Sequence, residues 1–159
     1  MLQLFKVIEE EHYDQARMLF NLYAASLEFN LDFQGFQEEI DSLPGEYAPP
    51  AGCILLAQDG DEYVGCVALR KLEGDICEMK RLYVRPEARG LGAGRFLIRG
   101  LIKESRKCGY KRMRLDTVPS MQTARALYVA EGFKSIDPYR YNPIEGTAYM
   151  ELILDTLSD

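Results

Sequence analysis

Three glycines stand between two arginines in the run Arg89-Gly90-Leu91-Gly92-Ala93-Gly94-Arg95. Because glycine has no Cβ to keep a ligand away from the backbone, successive N–H groups of such a run can converge on an anion. Apolar residues recur at helical spacing from Leu97 to Cys108, so a helix follows the run and adds its N-terminal dipole. The run therefore predicts a phosphate-binding loop, in which both guanidinium groups make charge-assisted contacts to phosphate oxygens.

Other glycine-rich structures compete with this interpretation, and a plain tight turn is the simplest of them. A Walker loop requires Lys and then Ser or Thr after its last glycine, where this chain has Arg95-Phe96, so nucleoside-triphosphate hydrolysis is disfavoured. A dinucleotide fingerprint fits Gly90 and Gly92 and would use Asp116 for the ribose. Its third glycine falls on Arg95, however, so a nicotinamide-dependent oxidoreductase is retained only as a minor alternative.

The residues around the glycines resemble motif A of the GNAT superfamily of acetyl-CoA-dependent N-acetyltransferases. The similarity runs from Glu78 to Pro86 and continues through the glycine run. The core of that motif is Gln or Arg, two residues, Gly, one residue, and then Gly or Ala. Arg89, Gly92 and Gly94 satisfy this core.

A second stretch resembles motif B of the same family. Ala124, Leu127-Tyr128 and Gly132-Phe133 occur in the family's order and spacing. Met121 stands where the family usually has Asn, so any cofactor contact made by that Asn is in doubt for this chain. Together the two motifs cover roughly residues 76–133, and their combination is far more specific than either motif alone.

The resemblance implies an α+β fold of the α/β/α type, with helices on both sides of a mixed, mainly antiparallel sheet. In that fold the strand bearing Glu78 and the strand Arg112 to Asp116 run parallel and splay apart, and the pantetheine arm of acetyl-CoA enters between them. Backbone groups of Leu82, Tyr83 and Val84 then bind pantetheine and the acetyl carbonyl. The glycine run and its two arginines bind the pyrophosphate.

Transfer to a protonated amine requires a base for its proton, donors for the oxyanion and an acid for the departing thiolate. The resemblance implies that Glu78 is the general base and that Tyr128 protonates the thiolate. From the residues alone, Glu78 is equally well explained as a strand carboxylate paired with Lys80 or Arg112. Tyr128 is explained as a core aromatic residue.

The resemblance places the acceptor between Leu27 to Phe36 and Tyr139 to Gly146. These stretches carry carboxylates, aromatic rings and an amide: Glu28, Asp32, Phe29, Phe33, Tyr139, Tyr141 and Asn142. Such groups can receive a cationic amine through ion pairs and cation–π contacts. The predicted function is acetyl transfer to a primary amine of a small molecule or peptide, by direct attack in a ternary complex. A non-catalytic acyl-CoA sensor is the alternative.

Composition excludes several classes of protein. The 159 residues suit one domain over residues 1–159. A formal charge of -6 argues against nucleic-acid binding, which rests on Lys and Arg, and suits a cationic acceptor, although it also favours solubility alone. The chain has no apolar run of about 18 residues and no export signal, so we expect a cytoplasmic protein without membrane contact. A homodimer stays open.

Metal and nucleophile chemistry have little support. Cys53, Cys66, Cys77 and Cys108 lie within or beside apolar segments without Cys-x-x-Cys spacing, and we expect them to be small buried hydrophobic residues. His12 is the single histidine and is expected at the surface or at a helix start. We therefore predict no metal site and no Ser-His or Cys-His nucleophile.

Apolar patterns predict the elements that position these residues. The predicted strands are Leu2–Ile8, Cys53–Ala57, Glu62–Leu69, Cys77–Val84, Arg112–Asp116 and Thr147–Leu154. The predicted helices are one through Ala16–Leu27, a short one around Gln37–Leu43, one from the glycine loop to Gly109, and one from a Ser120 cap through Ala130. Asp59-Gly60 predicts a hairpin turn. Hairpins followed by one crossover predict a mixed sheet.

Overall fold

The computed structural model describes residues 1–27 and 35–154. The strands of this part are β1 Leu2–Lys6, β2 Cys53–Asp59, β3 Glu62–Glu73, β4 Ile76–Val84, β5 Arg112–Thr117, β6 Lys134–Ile136 and β7 Ala148–Ile153. Its α-helices are α1 Glu10–Ser26, α2 Phe36–Asp41, α3 Ala93–Lys107 and α4 Gln122–Ala130. Two 3₁₀ turns lie at Gly45–Tyr47 and Pro86–Ala88.

The strands form one sheet in the order β1-β2-β3-β4-β5-β7-β6. Every neighbouring pair is antiparallel except β4 and β5. These two pair only from Ile76 opposite Arg112 to Glu78 opposite Arg114, and the pairing stops there. The sheet is therefore mixed and mainly antiparallel, with parallel strands that separate, which confirms the predicted fold class.

A β-bulge lies in β4 just beyond this separation. Cys66 pairs with Tyr83 and Ala68 with Lys80, so β4 carries one more residue than β3 between the two pairs. Arg81 is the extra residue and has a φ of 63°, a left-handed conformation that non-glycine residues rarely adopt. The Cys66 thiol donates to the Arg81 carbonyl oxygen at 3.3 Å.

Helices cover both faces of the sheet and each face has its own core. Leu97 and Leu101 of α3 are fully buried in the same cluster as Met79 of β4. Leu19 and Phe20 of α1 are fully buried in the cluster on the other face. Burial of a side chain of this size stabilises the fold by roughly 1.5–3 kcal/mol. The sheet, with β4 in it, is thus packed between α3 on one face and α1 on the other.

The predicted elements are confirmed to within a few residues at most of their ends, with three corrections. The hairpin turn is centred on Gly60-Asp61, since Asp59 pairs with Glu62. The last helix begins at Gln122 with Met121 at its N-cap and no side-chain cap bond, so the Ser120 cap is wrong. The short strand β6 was not predicted.

The cysteines and the histidine differ in part from expectation. Cys53, Cys66 and Cys77 are buried, whereas Cys108 is exposed because it follows the last residue of α3. His12 lies in the first turn of α1, and its ring is 4.9 Å from that of Phe5. No helix within residues 1–27 and 35–154 is long and apolar enough to cross a membrane.

Candidate functional site

A groove of about 800 Å³ opens where β4 and β5 separate. Its wall is formed by the end of β4, the glycine run, the start of α3, residues of α4 and the end of α1. The predicted cofactor residues that line it are Leu82, Tyr83, Val84, Arg89, Gly90, Gly92, Ala93, Gly94 and Arg95. Leu91 does not line it, and its side chain is 54% exposed. All the predicted cofactor residues except Leu91 thus lie around one groove, and their role in binding acetyl-CoA stays a prediction.

The glycines shape the floor of the groove. Gly90 and Gly92 have φ values of 95° and 82°, and a Cβ added to either would meet nothing within 4 Å. The space in front of both residues is thus open to a ligand. Gly92 is the N-cap of α3, whose first N–H groups have no partner inside the helix. Since the first turn of α3 carries no acidic side chain, it suits an anion.

Two other residues of the run have defined structural roles. A Cβ on Gly94 would lie 2.8 Å from Leu127 Cδ1, so this glycine allows α3 and α4 to pack closely. Arg89 Nε donates to the Val84 carbonyl oxygen at 3.2 Å, which holds the guanidinium at the end of β4. Arg95 lines the groove from the first turn of α3.

A second cavity, of about 590 Å³, lies on the α2 side of β4. Lys80 lines this cavity and Leu82 lines the groove. Two residues along a strand span roughly 7 Å, so the cavity and the groove approach each other at the bulge. Leu27 also lines the groove, and Gly35 lines the cavity.

Glu78 lies behind the wall of this cavity and is 0% exposed. Its Oε1 accepts a hydrogen bond from Arg70 Nε at 2.8 Å. Its Oε2 accepts one from the Tyr139 hydroxyl at 2.6 Å and is 2.5 Å from Arg140 Nη2. Arg70, Tyr139 and Arg140 all line the cavity, so the carboxylate contacts it only through them.

The charge state of Glu78 follows from these neighbours. Burial alone raises the pKa of its carboxyl group, but the positive charges of Lys80, Arg140 and Arg70 and the hydrogen bond from Tyr139 outweigh it, so the pKa lies below its usual value. The carboxylate is therefore ionised at neutral pH and only weakly basic. The ion pairs are formed with Arg70 and Arg140, whereas Arg112 pairs with Glu151.

The bulge places two cationic residues on the α2 side of the sheet. Arg81 donates from Nε and Nη2 to the two carboxylate oxygens of Glu39 at 2.9 and 2.8 Å, which ties the bulge to α2. Burial, and then the charge of Arg81, lowers the pKa of Lys80 to about 8, while Glu78 acts in the opposite direction. Lys80 therefore loses its proton well below the usual pKa of a lysine side chain.

Tyr128 is buried beneath the groove. Its ring centroid is 5.7 Å from that of Phe133, and the side chain is 6% exposed. Its neighbours Ala124 and Leu127 line the groove, whereas Tyr128 itself does not. Burial raises the pKa of its phenol, so the hydroxyl keeps its proton. The side chain is thus a core residue that carries a proton close to the groove, and its acid role stays a prediction.

The predicted acceptor residues fall into two groups. Glu28, Phe29, Asp32 and Phe33 lie outside the described residues. Tyr139 and Tyr141 line the cavity, and the Tyr139 hydroxyl donates to Glu78, while their role toward an acceptor stays a prediction.

Asn142 instead holds its own loop. Its Nδ2 donates to Asp116 Oδ2 at 3.1 Å, and its Oδ1 accepts from the Ile144 N–H at 2.9 Å. Asp116, which the dinucleotide alternative needs for a ribose, is therefore engaged within the protein.

Several residues of the cavity were not identified from the sequence. Arg70 pairs directly with Glu78 in the β3–β4 register, so the hairpin pattern carried a signal for it. Arg140 comes from an irregular segment and Glu46 from the 3₁₀ turn Gly45–Tyr47, and no local pattern indicates that they approach the cavity.

Comparison with known proteins identifies the family. Residues 16–133 match the model of the Acetyltransferase (GNAT) family, which is more than half of the chain. The chain belongs to the GNAT acetyltransferase family. The enzyme is 42% identical over 141 residues to an uncharacterized N-acetyltransferase of Schizosaccharomyces pombe, and the match covers 87% of this chain and 86% of that protein.

Solved structures share the fold. A GNAT-family acetyltransferase from Staphylococcus aureus has a TM-score of 0.78 at 16% identity, covering 97% of this chain and 99% of that chain. The Salmonella typhimurium protein yncA, whose structure contains its cofactor acetyl-CoA, has a TM-score of 0.71 at 18% identity, covering 97% of this chain and 94% of that chain.

The family match confirms that the protein is an N-acetyltransferase whose acetyl donor is acetyl-CoA. It also sets aside the nicotinamide-dependent alternative.

Proposed function

We propose that this enzyme transfers the acetyl group of acetyl-CoA to a primary amine of a small molecule or peptide, by direct attack in a ternary complex. The observation that carries the proposal is the approach of two cavities at the β4 bulge. One has an anion-binding glycine run, and the other has a polar wall. Because each has its own volume, donor and acceptor can be bound together, and no covalent acyl-enzyme is required.

The donor occupies the groove in this proposal. The pyrophosphate lies against the amides of the glycine run and the start of α3, where Arg89 and Arg95 add positive charge. Leu82, Tyr83 and Val84 offer backbone groups to pantetheine and to the acetyl carbonyl, since β5 does not pair with this part of β4. The open space in front of Gly90 and Gly92 supports this fit.

The proton path supports a base role for Glu78 through Tyr139. A direct base must be within hydrogen-bond reach of its proton, and Glu78 is fully buried. Tyr139 both lines the cavity and donates to Glu78, so its oxygen can accept the proton of the amine while its own proton passes to the carboxylate. The nitrogen bonds to the acetyl carbon, the C–S bond breaks, and Tyr128 gives its proton to the thiolate sulfur.

The test measures release of free CoA thiol with a panel of primary amines, and mass spectrometry of the products. We expect thiol release that depends on the amine and a product heavier by one acetyl group. Acetyl-CoA binding by calorimetry with no acetylated product from any amine would favour the sensor alternative. A product that forms through an acetylated enzyme intermediate would refute direct attack.

A further inference from the structure

Asp116 lies on β5 just beyond the last pair that this strand makes with β4. That pair joins Glu78 to Arg114, and Asp116 follows Arg114 by two residues. Side chains two residues apart on a strand point to the same face of the sheet. The guanidinium carbon of Arg114 is 5.5 Å from the centroid of the Tyr139 ring, and Tyr139 lines the second cavity. Asp116 therefore faces the side of this cavity at the point where the two strands separate.

The two oxygens of the Asp116 carboxylate differ in their surroundings. Oδ2 accepts a hydrogen bond from Asn142 Nδ2 at 3.1 Å. Oδ1 has no hydrogen-bond or ion-pair partner within residues 1–27 and 35–154. The side chain is half-buried, and Oδ1 is not among the enclosed polar atoms that lack a partner, so it keeps accessible surface. A ligand can therefore reach this oxygen.

Asp116 differs in this respect from other carboxylates on the same face of the sheet. Arginine side chains hold Glu39, Glu78 and Glu151. Asp116 is bound instead by a neutral amide, so its charge has no bonded cation in the part of the chain that the structure describes. Such a carboxylate suits an ammonium group, since charge-assisted hydrogen bonds are about twice as strong as neutral ones.

The charge of Asp116 reaches both sides of the opening between β4 and β5. Burial is the largest cause of the raised pKa values of Tyr128 and Tyr139, and the charge of Asp116 contributes to each. Burial lowers the pKa of Lys80, and Asp116 acts against this effect. Tyr128 lies beneath the groove, whereas Tyr139 and Lys80 line the second cavity. The carboxylate thus stands between the spaces that the proposed function gives to the donor and to the acceptor.

We infer that Asp116 binds the acceptor as an ammonium, through a hydrogen bond to Oδ1, and holds its nitrogen where β4 and β5 separate. This inference rests on the proposed function and adds to it the residue that selects a protonated amine. Asp116 is a binding residue and takes up no proton, since the amine proton passes to the Tyr139 oxygen while the Tyr139 proton passes to Glu78.

The first experiment replaces Asp116 by Asn in the full chain. An Asn side chain has the same size and can still accept the bond from Asn142, so the loop stays in place and only the charge is lost. For primary amines that the panel shows to be acetylated, we expect KM for the amine to rise by about 10- to 100-fold, the range for a lost charge-assisted hydrogen bond. Acetyl-CoA affinity by calorimetry should stay unchanged, because Asp116 does not line the groove.

The second experiment removes the charge from the acceptor instead. Each acetylated amine is paired with an aminooxy analogue, such as butylamine with O-propylhydroxylamine, in which oxygen replaces the carbon beside the nitrogen. The aminooxy nitrogen is uncharged at neutral pH, so Asp116→Asn should leave KM for the analogue nearly unchanged. An equal rise in KM for both acceptors would refute the inference, since a purely structural role has that result.

Two further variants serve as controls. Asp41→Asn removes a carboxylate that is likewise bonded to an amide, Gln37 Nε2 at 3.0 Å, but that is exposed on α2, and it should change neither KM. Asn142→Ala keeps the Asp116 carboxylate and removes its bond to the loop, so any rise in KM should be equal for the amine and its analogue.

The outcomes separate this inference from the function on which it rests. An unchanged KM for the amine in Asp116→Asn would overturn this inference alone. A fall in kcat with KM unchanged would also overturn it, since that result would assign Asp116 to proton transfer. Absence of an acetylated product from every amine with the wild-type enzyme would overturn the proposed function and this inference with it.

Discussion

Replacing Glu78 by Gln tests the proton path most directly. The substitution preserves the size of the side chain and removes its charge. In the wild type, the carboxylate is 0% exposed and is held by Arg70 at 2.8 Å, Tyr139 at 2.6 Å and Arg140 at 2.5 Å. A glutamine leaves two guanidinium groups without their shared counterion, so the change affects stability as well as chemistry.

The expected magnitudes follow from this geometry. Breaking a buried ion pair by removing one partner costs about 3–5 kcal/mol, which for a domain of this size lowers Tm by roughly 6 to 20 °C. If Glu78 also receives the proton of the amine, kcat falls by about 100- to 10,000-fold. Acetyl-CoA affinity stays nearly unchanged, because Glu78 does not line the groove.

The assay pairs thermal unfolding with steady-state kinetics well below the variant's Tm. Glu151→Gln is the matched control, since Glu151 also holds two arginines, Arg112 at 2.9 Å and Arg114 at 2.8 Å, but lies on β7. We expect both variants to lose stability and only Glu78→Gln to lose the rate. A Glu78→Gln enzyme with a near-normal kcat across the pH profile would refute the base role and assign the proton to water.

Three further predictions concern the groove, the acid and Lys80. Gly92→Val should abolish most acetyl-CoA binding by calorimetry while circular dichroism still shows the wild-type fold, because Val is strained at a φ of 82° and its side chain would occupy the open space before residue 92. Wild-type affinity would contradict the phosphate assignment. Tyr128→Phe should lower kcat by about 10-fold or more at little cost in Tm, and an unaltered rate would remove the acid role. The pKa of Lys80 is lowered from 10.5 to about 8, so the unfolded state binds more protons between those values. From about pH 8 to 10.5, the stability of the wild type should therefore rise by about 3 kcal/mol relative to that of Lys80→Met. Urea titrations measure this difference, and a difference that stays constant with pH would refute the burial argument.

The parts of the enzyme that were predictable are those encoded by neighbouring residues. The glycine run, its helix and the strand before it lie within residues 76–107, and each follows from a local pattern of apolar residues, glycines and arginines. The second cavity depends on residues far apart in the chain, such as Glu46, Arg70 and Arg140. The sheet register and an irregular loop bring these three residues together, and no periodic pattern in the sequence predicts either of them.

The bulge illustrates the same limit. A left-handed residue is ordinarily signalled by Gly, and here the position is occupied by Arg81, which local propensity does not favour. The Ser120 prediction was wrong for a related reason. Ser is a good cap on average, but the backbone at residues 118–121 places Met121 at the N-cap instead.

Arg81 ties the bulge of β4 to a helix outside the sheet. Its left-handed backbone costs about 1–3 kcal/mol, which a glycine at this position would avoid. The two charge-assisted bonds to Glu39 on α2 are worth about 1.5–3 kcal/mol each and would disappear with that glycine. Two opposing effects therefore act at position 81. A glycine would relieve the backbone strain but lose the bonds to α2, whereas Arg81 keeps both the bonds and the strain. The conformation of β4 next to the groove is thus coupled to α2 through an ion pair.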